Sequence, residues 1–496
     1  MLYQSTRGGE TVEAAQAIAQ GIAADGGLFA PETLPAVTPG EMESFAAKGY
    51  IPAAECILRK YLTGYTDAEL KSAVRSAYRE DAFPDGPAVL KELTEDAAVL
   101  ELWHGPTFAF KDVALQLLPH LLTLAGGKTS EQKKEIVILA ATSGDTGKAA
   151  LEGFAGVPGT KIIVFYPQAG VSVVQERQMT TQKGDNVAVL AVKGNFDDAQ
   201  AGVKRIFNDR RLAGRLEENG LFFSSANSIN WGRLAPQIVY YFYAYALAVK
   251  NGRVKAGEKV DFAVPTGNFG NILAGFYALG MGLPVGRFIC ASNANNVLAD
   301  FINTGRYDRK RAFHKTISPS MDILVSSNLE RLLYHLTGKD APAVSGWMKL
   351  LARDGCYDIG AENKKTLQKY FSGYWVDDGA TQKTIAETFA RHKYLMDTHT
   401  AVAWKACADH RRQTGGAGYT IVLSTASPFK FALPVLKALN PDAPDMDAFA
   451  AIEGLSELSG LKIPEAMREL GHLPVLHDKA VAVEQMTGAV RDVLAI

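Results

Sequence analysis

From Ala97 onward, eight short apolar runs alternate with helical patterns, at residues 98–102, 135–141, 161–166, 187–192, 221–224, 260–264, 288–291 and 419–423. No other feature restricts the fold as strongly. Runs that are apolar along their whole length, rather than at every second position, are buried on both faces, as in parallel sheets covered by crossover helices. Residues 1–96 have a different texture, with helical segments predicted at 11–24, 39–47, 53–61 and 67–78, joined by Gly and Pro. The stretch 325–412, rich in Lys, Asp and helix formers, predicts a helical layer without strands. Asn440-Pro441-Asp442-Ala443-Pro444 breaks the chain before a helix-rich tail. The sheets must therefore be assembled from segments far apart in sequence.

At 496 residues and 47% hydrophobic composition, the chain exceeds one ordinary core and suits two or three domains. Its 52 Lys and Arg balance 53 Asp and Glu, so no electrostatic footprint for nucleic acid or an anionic membrane is expected. Cys56, Cys290, Cys356 and Cys407 form no CxxC pair, which argues against a zinc site or a disulfide framework and fits a reducing cytoplasm. The polar start of the chain lacks the apolar core of a signal peptide. The longest apolar run, 238–249, carries four tyrosines and reads as a buried helix.

In open α/β sheets, ligands sit beyond the carboxyl ends of the strands, where the next helix offers free N–H groups. Five loops qualify. His104-Gly105-Pro106-Thr107-Phe108-Ala109-Phe110-Lys111-Asp112 sets a lysine among aromatic and small residues. Desolvation there would leave Lys111 a neutral amine able to form an imine, although alone it reads more simply as a surface lysine. Thr142-Ser143-Gly144-Asp145-Thr146-Gly147-Lys148 fails as a P-loop at positions 142 and 149, leaving either a capped helix or a ligand loop. Ser225-Ala226-Asn227-Ser228-Ile229-Asn230-Trp231-Gly232-Arg233 gathers amides and hydroxyls ahead of a guanidinium, as an anion site or a set of helix-capping turns would.

In Pro265-Thr266-Gly267-Asn268-Phe269-Gly270-Asn271, two glycines let backbone N–H groups converge on an anion at a helix start. Phe269 stands where a dinucleotide fingerprint needs glycine, so one phosphate suits this loop better than a pyrophosphate. Ser424-Thr425-Ala426-Ser427-Pro428-Phe429-Lys430-Phe431 places a hydroxyl at a strand end, able to meet a ring nitrogen. A lysine, a phosphate cup, a polar turn and a strand-end hydroxyl are together the parts that hold pyridoxal 5'-phosphate.

With those motifs, the opening Leu2-Tyr3-Gln4-Ser5-Thr6-Arg7-Gly8, Asp25-Gly26-Gly27-Leu28-Phe29 and the stretch Met321 to Asn328, nearly the whole chain closely resembles the threonine synthases, fold-type II pyridoxal-phosphate enzymes. The resemblance implies an α/β fold of the tryptophan synthase β-like type. It has two open, twisted, mostly parallel sheets with helices on both faces, plus an N-terminal helical domain. The corresponding division is 1–96 for that domain, 135–240 for a smaller α/β domain, and 97–134 with 241–496 for a large cofactor-binding domain.

By the same resemblance, γ-elimination and β-addition would convert O-phospho-L-homoserine and water to L-threonine and phosphate, the last step of threonine biosynthesis. Lys111 would carry pyridoxal 5'-phosphate and move protons at the α-carbon. Gly267, Asn268, Phe269, Gly270 and Asn271 would hold the cofactor's phosphate, and Thr425 would meet its pyridine nitrogen. The substrate phosphate is assigned to Arg233 with Asn227, Ser228, Asn230, Ser143 and Thr146. Asp145 stands where related enzymes place an Asn on the cofactor's 3'-oxygen, which leaves it between cofactor and substrate. No metal, nucleic acid or membrane is expected as a partner, and monomer and homodimer both stay open. The rival readings are a threonine or serine dehydratase, a phospho-lyase that releases a 2-oxo acid, and an inert binding protein on the same scaffold.

Overall fold

A computed structural model of the chain describes residues 1–129, 134–142, 144–168, 170–416 and 418–496. Its large sheet has the strand order Phe371–Trp375, Val285–Ser292, Val260–Pro265, Thr420–Ser424, Ala97–Glu101, Val89–Glu92. The first five strands run parallel, and Val89–Glu92 joins the edge antiparallel. The smaller sheet is parallel throughout, in the order Ala480–Ala482, Val187–Lys193, Thr160–Pro167, Glu135–Ala141, Leu221–Ser224. Seven of the eight continuous apolar runs are thus inner strands of two covered sheets, and the eighth, Leu221–Ser224, is an edge strand of the smaller one. Ala97–Glu101 and Thr420–Ser424, for example, are buried at every position.

The helix Trp231–Lys250 has all but four of its 20 residues buried. It packs against the helices Pro39–Lys48, Tyr50–Tyr61 and Gly270–Gly280, which accounts for its apolar run. Among the described residues no helix is long and apolar enough to cross a membrane. Nor does any cluster of His, Cys, Asp or Glu there suit a metal ion.

Three elements depart from the sequence-based expectation. The N-terminal region is not purely helical, because Leu2–Ser5 pairs antiparallel with Thr11–Glu13 and with Phe29–Pro31. Val12 is buried between exposed Thr11 and Glu13, a period of two that a helical reading of 11–24 overlooks. The stretch 325–412 carries two strands: Cys356–Asp358, paired with Arg306–Asp308, and Phe371–Trp375, at the edge of the large sheet. Gly373 inside the latter weakens the strand signal. Finally, the tail returns to the smaller sheet rather than staying with the large domain: Ala480–Ala482 pairs with Val187–Lys193, and the helix Met486–Leu494 packs into the same core.

Candidate active site

The strand order explains why loops distant in sequence meet. Val260–Pro265, Thr420–Ser424 and Ala97–Glu101 are consecutive parallel neighbours, so the loops after them, 266–271, 425–431 and 102–111, leave the same edge. In the smaller sheet Glu135–Ala141 and Leu221–Ser224 are likewise parallel neighbours, delivering 142–147 and 225–233 together. Carboxyl-end loops of parallel strands are where α/β folds bind ligands.

Lys111 opens the helix Lys111–Leu115. The loop before it is fastened to the 425–431 segment by backbone bonds: Phe110 N–H donates to Thr425 O at 2.9 Å, and Ser427 N–H to Phe108 O at 3.1 Å. Thr107 donates to the buried Asp112 carboxylate through its N–H at 2.8 Å and its hydroxyl at 2.6 Å. The Lys111 side chain keeps only 12% exposure, with its Nζ 5.3 Å from the centre of the Phe110 ring. Burial pushes its pKa down, and the neighbouring Lys430 and Arg233 charges push the same way against the pull of Asp145.

Asp145 starts the helix Asp145–Phe154. Its Oδ2 lies 3.6 Å from Lys111 Nζ and accepts from Ser320 Oγ at 3.4 Å. Its Oδ1 lies 2.8 Å from Lys430 Nζ and accepts from Gln175 Nε2 at 2.9 Å. Burial alone would raise its pKa, but Lys430 and Lys111 overcome that and hold the carboxyl well below its ordinary value. Of the expectations left open, the structure places Asp145 beside the lysine, with both oxygens engaged by protein groups.

The helix Gly270–Gly280 begins at Phe269, which holds a left-handed backbone at φ 65°. Among the described residues, the N–H groups of Asn268, Phe269, Gly270 and Asn271 find no protein acceptor. The loop is held from outside: Ser326 Oγ donates to Gly267 O at 2.8 Å, and Asn328 N–H to Asn268 O at 3.0 Å. Asn271 Oδ1 accepts from Tyr240 and Tyr241 at 2.7 and 3.0 Å, leaving its buried Nδ2 without a partner. A Cβ on Gly267 would come within 2.8 Å of Ser320 O. Four free amides and an orphaned amide nitrogen at a helix start fit a phosphate group. Thr425 is buried, and its hydroxyl bonds to no described side chain.

Arg233 lies two residues into the helix Trp231–Lys250 and is buried. Its NH1 donates to Ala226 O at 2.9 Å, its Nε has no partner, and no carboxylate faces it among the described residues. Burial lowers its pKa to about 10. Ser228 Oγ contacts Ser327 Oγ at 3.2 Å, Asn227 is exposed, and Thr146 is half-buried in the first turn of its helix. Asn230 corrects the sequence-based assignment to substrate. Its Nδ2 donates to Ile18 O at 2.9 Å and Ser225 O at 3.0 Å, and its Oδ1 caps Gly232 N–H at 2.8 Å. Both of its donors are consumed by backbone, so its role is structural. Ser143 lies outside the described residues.

Three contributors escaped the motif reading: Lys430, Gln175 and the pair Ser320–His399. Ser320 N–H donates to His399 Nε2 at 3.1 Å, which leaves Nδ1 to donate to Asp397 at 2.9 Å. Lys430 carried a usable signal, because Phe429 and Phe431 flank it as aromatic residues precede Lys111.

Family models described as "Threonine synthase N terminus", "Pyridoxal-phosphate dependent enzyme" and "Threonine synthase, C-terminal" match residues 2–78, 87–362 and 400–470. The chain is 41% identical over 453 residues to the threonine synthase of Pseudomonas aeruginosa, covering 91% of this chain and 93% of that one. It also resembles a crystal structure of pyridoxal-phosphate-bound threonine synthase from Brucella melitensis, with a TM-score of 0.86, 34% identity and 99% of each chain covered. The crystal structure of the yeast threonine synthase is similar at a TM-score of 0.87 and 34% identity, covering 100% of this chain and 99% of that one.

Proposed function

The chain belongs to the threonine synthase family of pyridoxal-phosphate-dependent enzymes, and from that premise we propose that its substrate is O-phospho-L-homoserine, with Lys111 as the point of cofactor attachment. Pyridoxal phosphate supplies an electron sink that makes the carbon-bound protons of an attached amino acid acidic. The free amides of residues 268–271 and the positive end of the Gly270–Gly280 helix hold its phosphate. The Thr425 hydroxyl serves the ring nitrogen without adding charge.

Lys111 Nζ takes the proton from the substrate's α-carbon and returns one after water has added at the β-carbon. Both steps require an amine that is not locked as ammonium, which the burial of Lys111 favours. Arg233 takes the substrate phosphate with a bidentate fork, supported by Ser228 and Asn227. The observation that carries this reading is a buried guanidinium, held by one backbone carbonyl, that no carboxylate faces among the described residues. Its test is an assay of the purified protein with O-phospho-L-homoserine, following phosphate, threonine and 2-oxobutyrate together. Phosphate and threonine should appear in equal amounts; 2-oxobutyrate in place of threonine would make the protein a lyase that stops after elimination.

A further inference from the structure

Lys430 has no part in the functions assigned above, yet none of its side chain is accessible. Lysines are almost never buried so completely unless paired. Its Nζ lies 2.8 Å from Asp145 Oδ1 and donates to Thr107 O at 2.9 Å. The other oxygen of the same carboxylate is 3.6 Å from Lys111 Nζ. Two lysines thus face one carboxylate, and the closer one is not the lysine that reacts.

We propose that Lys430 is a positioning residue for the reaction: by pairing with Asp145 it withholds that carboxylate's charge from Lys111, and so leaves the Lys111 amine free of a proton. The inference rests on Lys111 as the attachment point. With Lys430 in place, its charge opposes the pull of Asp145 on the Lys111 proton, and Arg233 adds a further positive charge against protonation of Lys111. Without Lys430, the carboxylate would have Lys111 as its nearest cation, and a buried ion pair between them would hold the proton on the amine. Gln175 and Ser320 fix the carboxylate but bring no charge. Through Thr107 O, the same ammonium ties the loop that carries Lys111 to the segment that carries Thr425.

The test follows, by absorbance, the rate at which pyridoxal phosphate attaches to the full chain stripped of cofactor, from about pH 6 to about pH 11, a range that reaches past the ordinary lysine pKa of about 10.4. Lys430→Met should move the midpoint of the rate profile upward, lowering the rate at neutral pH by about tenfold for each unit moved. Lys430→Arg should keep the parent's midpoint, and Asp145→Asn should move it downward. A Lys430→Met protein slowed equally at every pH, with its midpoint unmoved, overturns the proposal. Where Lys430→Met does not fold, Asp145→Asn decides, and an unmoved or raised midpoint overturns it. Borohydride trapping and peptide mapping of the parent separate the two levels. Attachment at another lysine overturns the reading of Lys111 itself, whereas attachment at Lys111 with unmoved midpoints overturns only the role of Lys430.

Discussion

A guanidinium held in the interior by one backbone carbonyl, with its Nε unmatched, is an unfavourable arrangement until an anion completes it. Arg233→Ala should therefore raise the KM for O-phospho-L-homoserine by about 100-fold or more, the scale of a buried charge contact. On the proposed assignment to the substrate phosphate, the cofactor's absorbance should change far less than the KM; unchanged kinetics would remove Arg233 from the site. Asp112 yields a pH prediction. Burial raises its carboxyl to about 6 against the hydrogen bonds of Thr107. The folded chain holds this proton more tightly than the unfolded one, so the contribution to stability is complete below about pH 4 and is lost as pH rises through about 6. Asp112→Asn keeps a proton donor toward the Thr107 hydroxyl at every pH. Its thermal midpoint should match the parent's near pH 4 and exceed it at neutral pH by the equivalent of about 2–3 kcal/mol. A gap that does not change with pH would place the titration elsewhere.

Helices and strands carry the site through a few close approaches. The helix Asp145–Phe154 crosses Lys111–Leu115 at Gly153, where a Cβ would lie 2.0 Å from Leu115 O. Gly153→Ala must push the two helices apart and with them Asp145 from Lys111, at a cost of about 1–3 kcal/mol typical of overpacking. A lower thermal midpoint together with weaker cofactor retention is expected, and a variant with both unchanged would show the contact to be slack. Much at this scale was legible in the sequence. Each ligand loop follows a predominantly apolar strand, so loop positions could be read from the sequence pattern alone. What escaped were pairings with no local signature. Asn230 looks like a ligand residue but caps a helix against Ile18, 212 residues away. Asp145 looks like a cofactor ligand but pairs with Lys430 on a segment after the last strand of the large sheet. The strand Phe371–Trp375 was hidden because glycine interrupts its aromatic run and helix formers surround it.

Across the whole molecule, the smaller sheet depends on the end of the chain. Val481, Met486, Val490 and Leu494 are buried in one cluster with Val137, Ile163, Leu190 and Val203. Neither the short strand Ala480–Ala482 nor its alanine flanks would be singled out by periodicity. It counts as a strand because Val187–Lys193 presents an edge parallel to it. Ending the chain at Lys479 would expose that edge and leave the cluster open on one side. Four buried aliphatic or thioether side chains, at about 1.5–3 kcal/mol each and discounted for a compact unfolded state, amount to on the order of 5 kcal/mol. The loss should be local first, because the large sheet receives no strand from this segment. Hydrogen exchange should therefore quicken in Val187–Lys193, Thr160–Pro167 and Glu135–Ala141, while Val260–Pro265 and Thr420–Ser424 keep their protection. Since Asp145 follows Glu135–Ala141 whereas the phosphate loop follows Val260–Pro265, the truncated chain should still bind the cofactor's phosphate and lose the fixed distance between Asp145 and Lys111. Equal loss of protection in both sheets would mean that they unfold as one cooperative unit, with the tail stabilising the molecule as a whole.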